Sequence, residues 1–458
     1  MLRILVSRGA RLDGRSSYAE SAVGQAAARG RYDELGFLLD AGADASPLRW
    51  TPLHHAAAFG SIADVESAIA AGVPLDARDR TDRNAWHVAL IAGRPEVAAH
   101  LRGRGVPSGL HGAHRRPYLW FDPAAARLAM VRVWLEEGWA PDAPYAADET
   151  LLDCAVTSDD VATASFLLDA GADVTCGRRR DHPRRRRPLA EASSGAMIRR
   201  LLAAGGDPAD LSSAARRTLL GLDPEASDEP LREVSREQFE RGRRPRTGRA
   251  NPERIDEPFW AAMLRAGVSA SRARRWFVGN EDGDELGSAV WCADRFGMSV
   301  TPLPDGRIVA IGGEHEDAYD PDFHIYNDVI VRDAAGGFTI HGYPHDVFPP
   351  TDFHTATLLD GAIFVIGGLG YHGQRKYGTT PVHRLDLETL RIEPVATIGD
   401  PPGWLYEHRA DVAGPGVIVV RGGTRVLAPA EGGGPREAYE PNEATFALDV
   451  RTGAWRRL

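Results

Sequence analysis

The sequence predicts a multi-domain α + β chain: a stack of paired helices, a helical linker, then an all-β half. Three observations carry this reading. Glycines close apolar segments at Gly9, Gly42, Gly72, Gly105, Gly138, Gly171 and Gly205, at spacings of 33, 30, 33, 33, 33 and 34 residues. Gly-Gly pairs recur at Gly312-Gly313, Gly367-Gly368 and Gly422-Gly423, each 55 residues apart and each ending an apolar strand pattern. Between the two repeats lies a polar stretch carrying Pro224, Pro230, Pro245 and Pro252. The expected boundaries are 1–210 for six to seven helical repeats, 211–285 for the linker and 286–458 for the β half. At 458 residues the chain is too long for one core, which agrees with several domains.

Composition narrows the function classes. No stretch approaches 18 uninterrupted apolar residues, so no membrane span is expected. The N-terminal apolar run is too short for a signal peptide, which reads as cytoplasmic. Cys154, Cys176 and Cys292 have neither disulfide nor zinc spacing and read as buried apolar residues. A net charge of −10 disfavours a general nucleic-acid binder. Among 54 basic residues only Lys376 is lysine, the codon signature of a GC-rich, bacterial genome.

The helical repeats are read first. In Thr51-Pro52-Leu53-His54-His55-Ala56-Ala57-Ala58-Phe59-Gly60, Thr51 suits an N-cap and Pro52 the first helical turn. Val65, Ala68 and Ile69 form the stripe of a second helix, which Ala71-Gly72 ends. This segment resembles the T-P-L-H-x-A-A-x-x-G core of ankyrin repeats. Asn84 to Ala89 keeps the register with Trp86 at the leucine position, and Thr150 to Ala155 keeps it with Asp153 at the histidine position. Phe37 to Asp44 and Phe166 to Asp173 match the ending of the second helix. The repeat containing Gly138 departs most, with Asp122-Pro123 expected inside its first helix, and the last repeat is shortened. Met1 begins directly in a second helix, as a terminal cap or a misassigned start would. The resemblance covers residues 1 to about 210 and implies a surface for protein partners. It implies that His54 and His87 fix turns rather than hold a metal. Trp50, Arg80, Asp82 and Trp120 stand at or near repeat-to-repeat turns and are candidate partner contacts.

Between the last two repeats, Arg178, Arg179, Arg180, Arg184, Arg185, Arg186 and Arg187 crowd into ten residues. They read either as a patch for phosphate, RNA or an acidic partner, or as a solvated loop. No aromatic residue is interleaved to stack bases, which argues against nucleic acid. In the linker, one helix is expected near Leu231 to Phe239 and another from Glu257 to Gly267. Phe259, Trp260, Trp276 and Phe277 are too apolar to be free and are expected to pack between the domains.

In the β half each copy runs from a Gly-Gly strand to a strand ending in aspartate, as in Phe446-Ala447-Leu448-Asp449, with Trp455 six residues on. This unit resembles a kelch blade over residues 288 to 458, with Thr339 and Ile392 replacing the tryptophan in the first two copies. The resemblance implies a β-propeller, yet only three blades are visible where closed rings have four to eight. A fourth blade is hidden, or a homodimer completes a ring of six, or the sheets pack without closing.

Blade geometry puts the long loops, roughly 314–326, 341–354, 369–381, 393–409 and 424–444, on one face. Glu314, His315, Glu316, Asp317, Asp322, His324, His341, His345, Asp346, Asp352 and His354 lie there. No metal site is assigned; His315, His324, His345 and His354 are the candidates should one exist. Tyr371, Tyr377, Trp404 and Tyr406 form an expected binding rim. No P-loop, G-x-S-x-G or H-E-x-x-H motif is present, and no catalytic residue or cofactor is assigned. The resulting expectation is a cytoplasmic protein-interaction adaptor. The alternative is a metal-dependent enzyme or small-ligand protein using the His/Asp/Glu-rich loops.

Overall fold

The computed structural model describes residues 2–14, 20–108, 123–145, 149–175, 188–279, 289–315, 322–429 and 436–458. The chain forms two compact units: Met1–Ala192 with Ala203–Gly205, and Ser193–Leu202 with Gly206–Leu458.

The first unit opens with α1 (Leu2–Ser7) and then alternates helix pairs. These are α2 (Ala22–Ala28) with α3 (Tyr32–Asp40), α4 (Pro52–Phe59) with α5 (Ile62–Ala70), and α6 (Ala85–Ile91) with α7 (Pro95–Gly103). Next come α8 (Ala124–Glu136), the pair α9 (Leu151–Thr157) and α10 (Val161–Asp169), and α11 (Pro188–Glu191). All seven glycines of the 33-residue period have φ between 78° and 93°, the left-handed cap that an L side chain resists. Capping boxes start the first helices of three pairs: Thr51 with His54, Asn84 with His87, and Thr150 with Asp153. Ala57, Ala89 and Ala155 are fully buried, so first helices of successive pairs approach closely: α4 packs on α6, and α9 on α11. One expectation changes. Pro123 is the N-cap of α8, the helix that Gly138 closes, and not part of a first helix. A proline at a helix start sacrifices no intrahelical hydrogen bond.

The second unit begins with α12 (Gly195–Ala203), which runs across the boundary. It continues with α13 (Ser213–Leu219), α14 (Arg236–Gly242), α15 (Pro258–Ala266) and α16 (Ala270–Val278). Three mainly antiparallel sheets follow. The first has the order β1 (Glu253–Arg254), β7 (Phe338–Gly342), β6 (Val329–Arg332), β3 (Ile308–Ile311), β2 (Ser299–Pro302). The second is β11 (Ile392–Pro394), β10 (Val382–Asp386), β9 (Ala362–Ile366), β8 (Thr355–Leu359). The third is β12 (Ile398–Gly399), β19 (Ala454–Arg457), β18 (Thr445–Asp449), β15 (Val417–Arg421), β14 (Arg409–Gly414), with β12 joining β19 in parallel. Two smaller pieces occupy segments expected as loops: a hairpin of β4 (Glu314–His315) and β5 (His324–Ile325), and a sheet of β13 (Trp404–Tyr406), β16 (Thr424–Leu427) and β17 (Ala438–Pro441).

The three sheets stack face to face. Val309, Val329, Tyr343, Ile363 and Leu385 fill one core between the first and second. Phe364, Leu405, Ile418, Phe446 and Trp455 fill the next, between the second and third. The glycine pairs permit this approach. A Cβ at Gly312 would run into the Thr351 carbonyl, and one at Gly367 into the Leu405 carbonyl. At Gly422 the corresponding space is open. The aspartates ending β10 and β18 hold the next turn, Asp386 accepting from Thr389 N–H (3.0 Å) and Asp449 from Thr452 N–H (3.1 Å).

The polar stretch 211–285 carries four helices among the described residues, and these pack within the second unit. Trp260 stacks on Trp291 at 4.8 Å, and Phe277 on Phe239 at 4.5 Å. Phe259 and Trp260 are buried and Trp276 is exposed. The expectation that all four aromatics pack between domains is therefore corrected. Ile308, Ile330 and Ile340 on the outer face of the first sheet are buried, with Ile255 and Leu264 beside Ile340. Asp207, from the turn before α13, stands 3.8 Å from Arg409 at the start of β14, and the adjoining 208–210 turn packs on β2.

Candidate functional site

In the first unit the site grows from the turn before α4. Arg49 is left-handed (φ 56°), which presents Trp50 beside the helix. Trp50 Nε1 donates to Asp79 Oδ2 at 3.3 Å, and its ring sits 5.7 Å from Tyr32 and 6.0 Å from Phe59. His55 meets the exposed Phe59 edge-on at 5.6 Å. Asp79 organises the adjoining finger, accepting from the N–H groups of Thr81 (2.7 Å) and Arg83 (3.0 Å). Arg80 N–H donates to the Leu48 carbonyl (3.0 Å), and its side chain is exposed. Asp82 is left-handed (φ 66°), and its Oδ2 has no hydrogen-bond partner. Trp50, Arg80 and Asp82 therefore share one turn region, while Trp120 and the arginine loop 178–187 lie outside the described residues.

His54 and His87 are structural. His54 accepts from Thr51 N–H at Nδ1 (3.2 Å), while Nε2 meets the Arg83 carbonyl at 3.1 Å, tying one repeat to the next. Burial lowers both imidazole pKa values. Two arginines add a device that no motif shows. Arg83 donates to the Ala27 (2.8 Å) and Ala28 (3.3 Å) carbonyls and Arg94 to the Ala56 (3.2 Å) and Ala57 (3.3 Å) carbonyls, adding donors at the C-terminal ends of α2 and α4.

In the second unit the long loops converge on Glu437. Its fully buried side chain takes hydrogen bonds from Tyr377 (2.7 Å) and Tyr439 (2.9 Å) and an ion pair from Arg375. Burial by itself would raise this carboxyl, but the tyrosine bonds and the Arg375 charge outweigh it and hold it below its ordinary value. The Arg375 guanidinium also donates to the Leu369 (3.0 Å) and Gly370 (3.0 Å) carbonyls, and Trp404 Nε1 to Leu369 (2.9 Å). Tyr371 Oη accepts from Ile325 N–H (2.9 Å), docking its loop onto the β4–β5 hairpin. Tyr377, Trp404 and the neighbouring Tyr406 thus belong to one rim. Arg375, Glu437 and Tyr439 were not picked out in the sequence. No local pattern marks them: Glu437 to Glu440 reads Glu-Ala-Tyr-Glu, without alternation, and Arg375 lies about 60 residues away.

The four candidate metal ligands do not converge. His315 and His324 face each other across β4–β5. His315 Nδ1 pairs with Tyr326 Oη (2.7 Å), and its Nε2 has no hydrogen-bond partner. His354 lies at the first sheet junction, beside Ser299 and Thr351, and His345 is an exposed loop residue. Among the described residues, no group of three His, Cys, Asp or Glu side chains is placed to hold a metal ion. Burial pushes His315 down to about 3, helped by His324, Arg295 and Arg274, and His324 down to about 4, helped by Arg295. Both are neutral near pH 7. Behind them, Arg295 and Asp328 form a buried ion pair, with Trp291 Nε1 also donating to Asp328 at 2.8 Å and the guanidinium 3.4 Å from the Tyr326 ring centroid.

No family model matches the chain, and no curated protein matches it. Among solved structures, the human ASB11 ankyrin repeat domain is 22% identical at a TM-score of 0.30, over 45% of this chain and 100% of that one. The ankyrin repeat domain of Bcl-3, titled a unique member of the IkappaB protein family, is 21% identical at 0.27, over 44% of this chain and 90% of that one. The first unit is ankyrin-like. Its own helix pairs, capping boxes and left-handed glycines at the 33-residue period carry that statement. The second unit is strand-rich, with several sheets, none closed among the described residues. Among those residues no helix is long and apolar enough to cross a membrane.

Proposed function

We propose that this protein is an interaction scaffold, with one protein partner on the ankyrin-like unit and another on the Glu437 rim. The observation that carries the reading is the Tyr32–Trp50–Phe59–His55 aromatic cluster beside the exposed Arg80. Aromatic and arginine anchors of this kind dominate protein interfaces. The rim adds Tyr377, Trp404 and the exposed Tyr439 on a charge-neutralised base.

We read the strand-rich part as a kelch-like partial propeller, supported by its three stacked sheets, their Gly-Gly junctions and the turn-holding aspartates. A second copy completing the ring is an outcome that light scattering distinguishes. We place the protein in the cytoplasm, in keeping with its cysteine usage. The metal-enzyme alternative has less support, because its four histidines are dispersed.

The test is affinity purification with mass spectrometry on three forms: wild type, W50A/F59A and Y377F/E437Q. Each variant should lose a different set of proteins, with circular dichroism confirming that it remains folded at the assay temperature. Identical partner sets in all three forms would falsify the two-surface reading.

A further inference from the structure

The outer edge of the first sheet is only partly paired. Within the second unit, β1 covers β7 over two residues, Glu253 opposite Gly342 and Arg254 opposite His341. Ile255 N–H then donates to the Ile340 carbonyl at 2.8 Å, and the chain turns away at Asp256, Glu257 and Pro258 into α15. In an antiparallel strand the backbone groups of alternate residues point to opposite sides. Ile340 points outward, toward β1, so Phe338 points outward as well, and no backbone hydrogen bond covers Phe338 on that side.

Beside this uncovered edge lies an open cavity of about 420 Å³ between β7 and α15. That size falls within the roughly 300–1,000 Å³ of ligand pockets. Ile255, Pro258, Ala261, Leu264 and Phe338 make its walls largely apolar. Asp256, Glu257 and Arg265 line its mouth. Arg254 pairs with Asp256 at 3.0 Å and Glu233 with Arg265 at 2.6 Å, so Glu257 tips the charge there to acidic.

We propose that this groove takes a short extended peptide from a protein partner, added antiparallel to β7 beyond the end of β1. The Phe338 carbonyl and N–H supply the ladder bonds. An apolar side chain enters between Leu264 and Phe338, and a neighbouring Lys or Arg lies against Glu257. Strand addition of this kind takes affinity from main-chain bonds and selectivity from pockets for alternate side chains. The surface is separate from both the aromatic cluster and the Glu437 rim, and it stands or falls independently of them.

The probe is a fluorescein-labelled, end-capped hexapeptide of alternating valine and arginine, titrated by anisotropy into the full-length protein. Saturable binding is expected. N-methylation of the alternate amides that face β7 should weaken it roughly tenfold or more, since about 1.4 kcal/mol corresponds to a factor of ten. Ala261→Trp, on an exposed position of α15, should fill the groove and weaken binding similarly, with the circular dichroism melt checking its fold. A D256K/E257K variant should shift preference to a valine–glutamate peptide. No saturable binding up to millimolar peptide would overturn the proposal. So would equal binding of the N-methylated peptide, which would mean that charge alone attracts the probe.

Discussion

His354 Nε2 lies 2.8 Å from Ser299 Oγ, joining the second sheet to the first. The relationship repeats: His408 Nε2 lies 3.0 Å from Thr355 Oγ1, joining the third sheet to the second. Each histidine follows a left-handed residue, Phe353 (φ 50°) or Glu407 (φ 52°). The N–H of each left-handed residue donates back to the preceding sheet, to Gly297 and Phe353 respectively, at 2.9 Å in both cases. Ser299, Thr355 and Arg409 are the first residues of β2, β8 and β14. In the third sheet Arg409 stands where the hydroxyls stand in the others, and it meets Asp207 instead of a further histidine.

Stability should fall on mild acidification. Burial pushes His354 and His408 to about 3 and His383 to about 4, joining His315 and His324. Their folded pKa values lie below the unfolded value near 6.5, so below pH 6.5 the unfolded chain binds more protons and stability is lost. Each histidine contributes a slope of up to about 1.4 kcal/mol per pH unit. Thermal melts at pH 7 and pH 5 should show a clear drop, and H354Q/H408Q should flatten it. An unchanged pH slope in that variant would show that the junction histidines do not titrate this way.

The buried Arg295–Asp328 pair should be costly to break. Arg295→Ala should cost about 3–5 kcal/mol in urea denaturation, because it leaves a buried carboxylate without its counter-charge. Combining R295M with D328L should cost less than the sum of the two single substitutions. Strict additivity would mean that the two charges do not depend on each other.

The three glycine pairs should tolerate alanine unequally. Gly312→Ala meets the Thr351 carbonyl and should destabilise severely or prevent folding. Gly422→Ala meets nothing within 4 Å and carries only the left-handed backbone penalty of about 1–2 kcal/mol. Equal losses in the two proteins would contradict the stacked-sheet arrangement.

Asp153 shows what the histidine position of the repeat is for. It accepts from Thr150 N–H (2.8 Å) and Thr150 Oγ1 (3.0 Å) at the start of α9. Asp153→Ala should cost about 1–2 kcal/mol, read as a lower melting temperature with the far-ultraviolet spectrum unchanged at 25 °C. A neutral effect would mean that the capping box is dispensable.

Much of this was legible in the residues because it depends on local chemistry. Caps such as Thr51 and Thr150, the left-handed glycines from Gly9 to Gly205, and the aspartates before tight turns act within four residues of themselves, so their spacing reports the helix pairs and strands directly. That Trp50, Arg80 and Asp82 stand in one turn region was within reach for the same reason, since repeat-to-repeat turns are marked by their period. What depends on distant partners was not. Glu437 is one carboxylate among many until Arg375 and Tyr377 fold against it from about 60 residues away. His315, His324, His345 and His354 look alike in a string of loops, yet packing buries one pair in a hairpin, commits His354 to a sheet junction and leaves His345 in solvent. The stretch 211–285 looks like a tether because its charges are many. Only the outer face of the first sheet, which must be covered to keep Ile308, Ile330 and Ile340 from water, turns it into a packed layer.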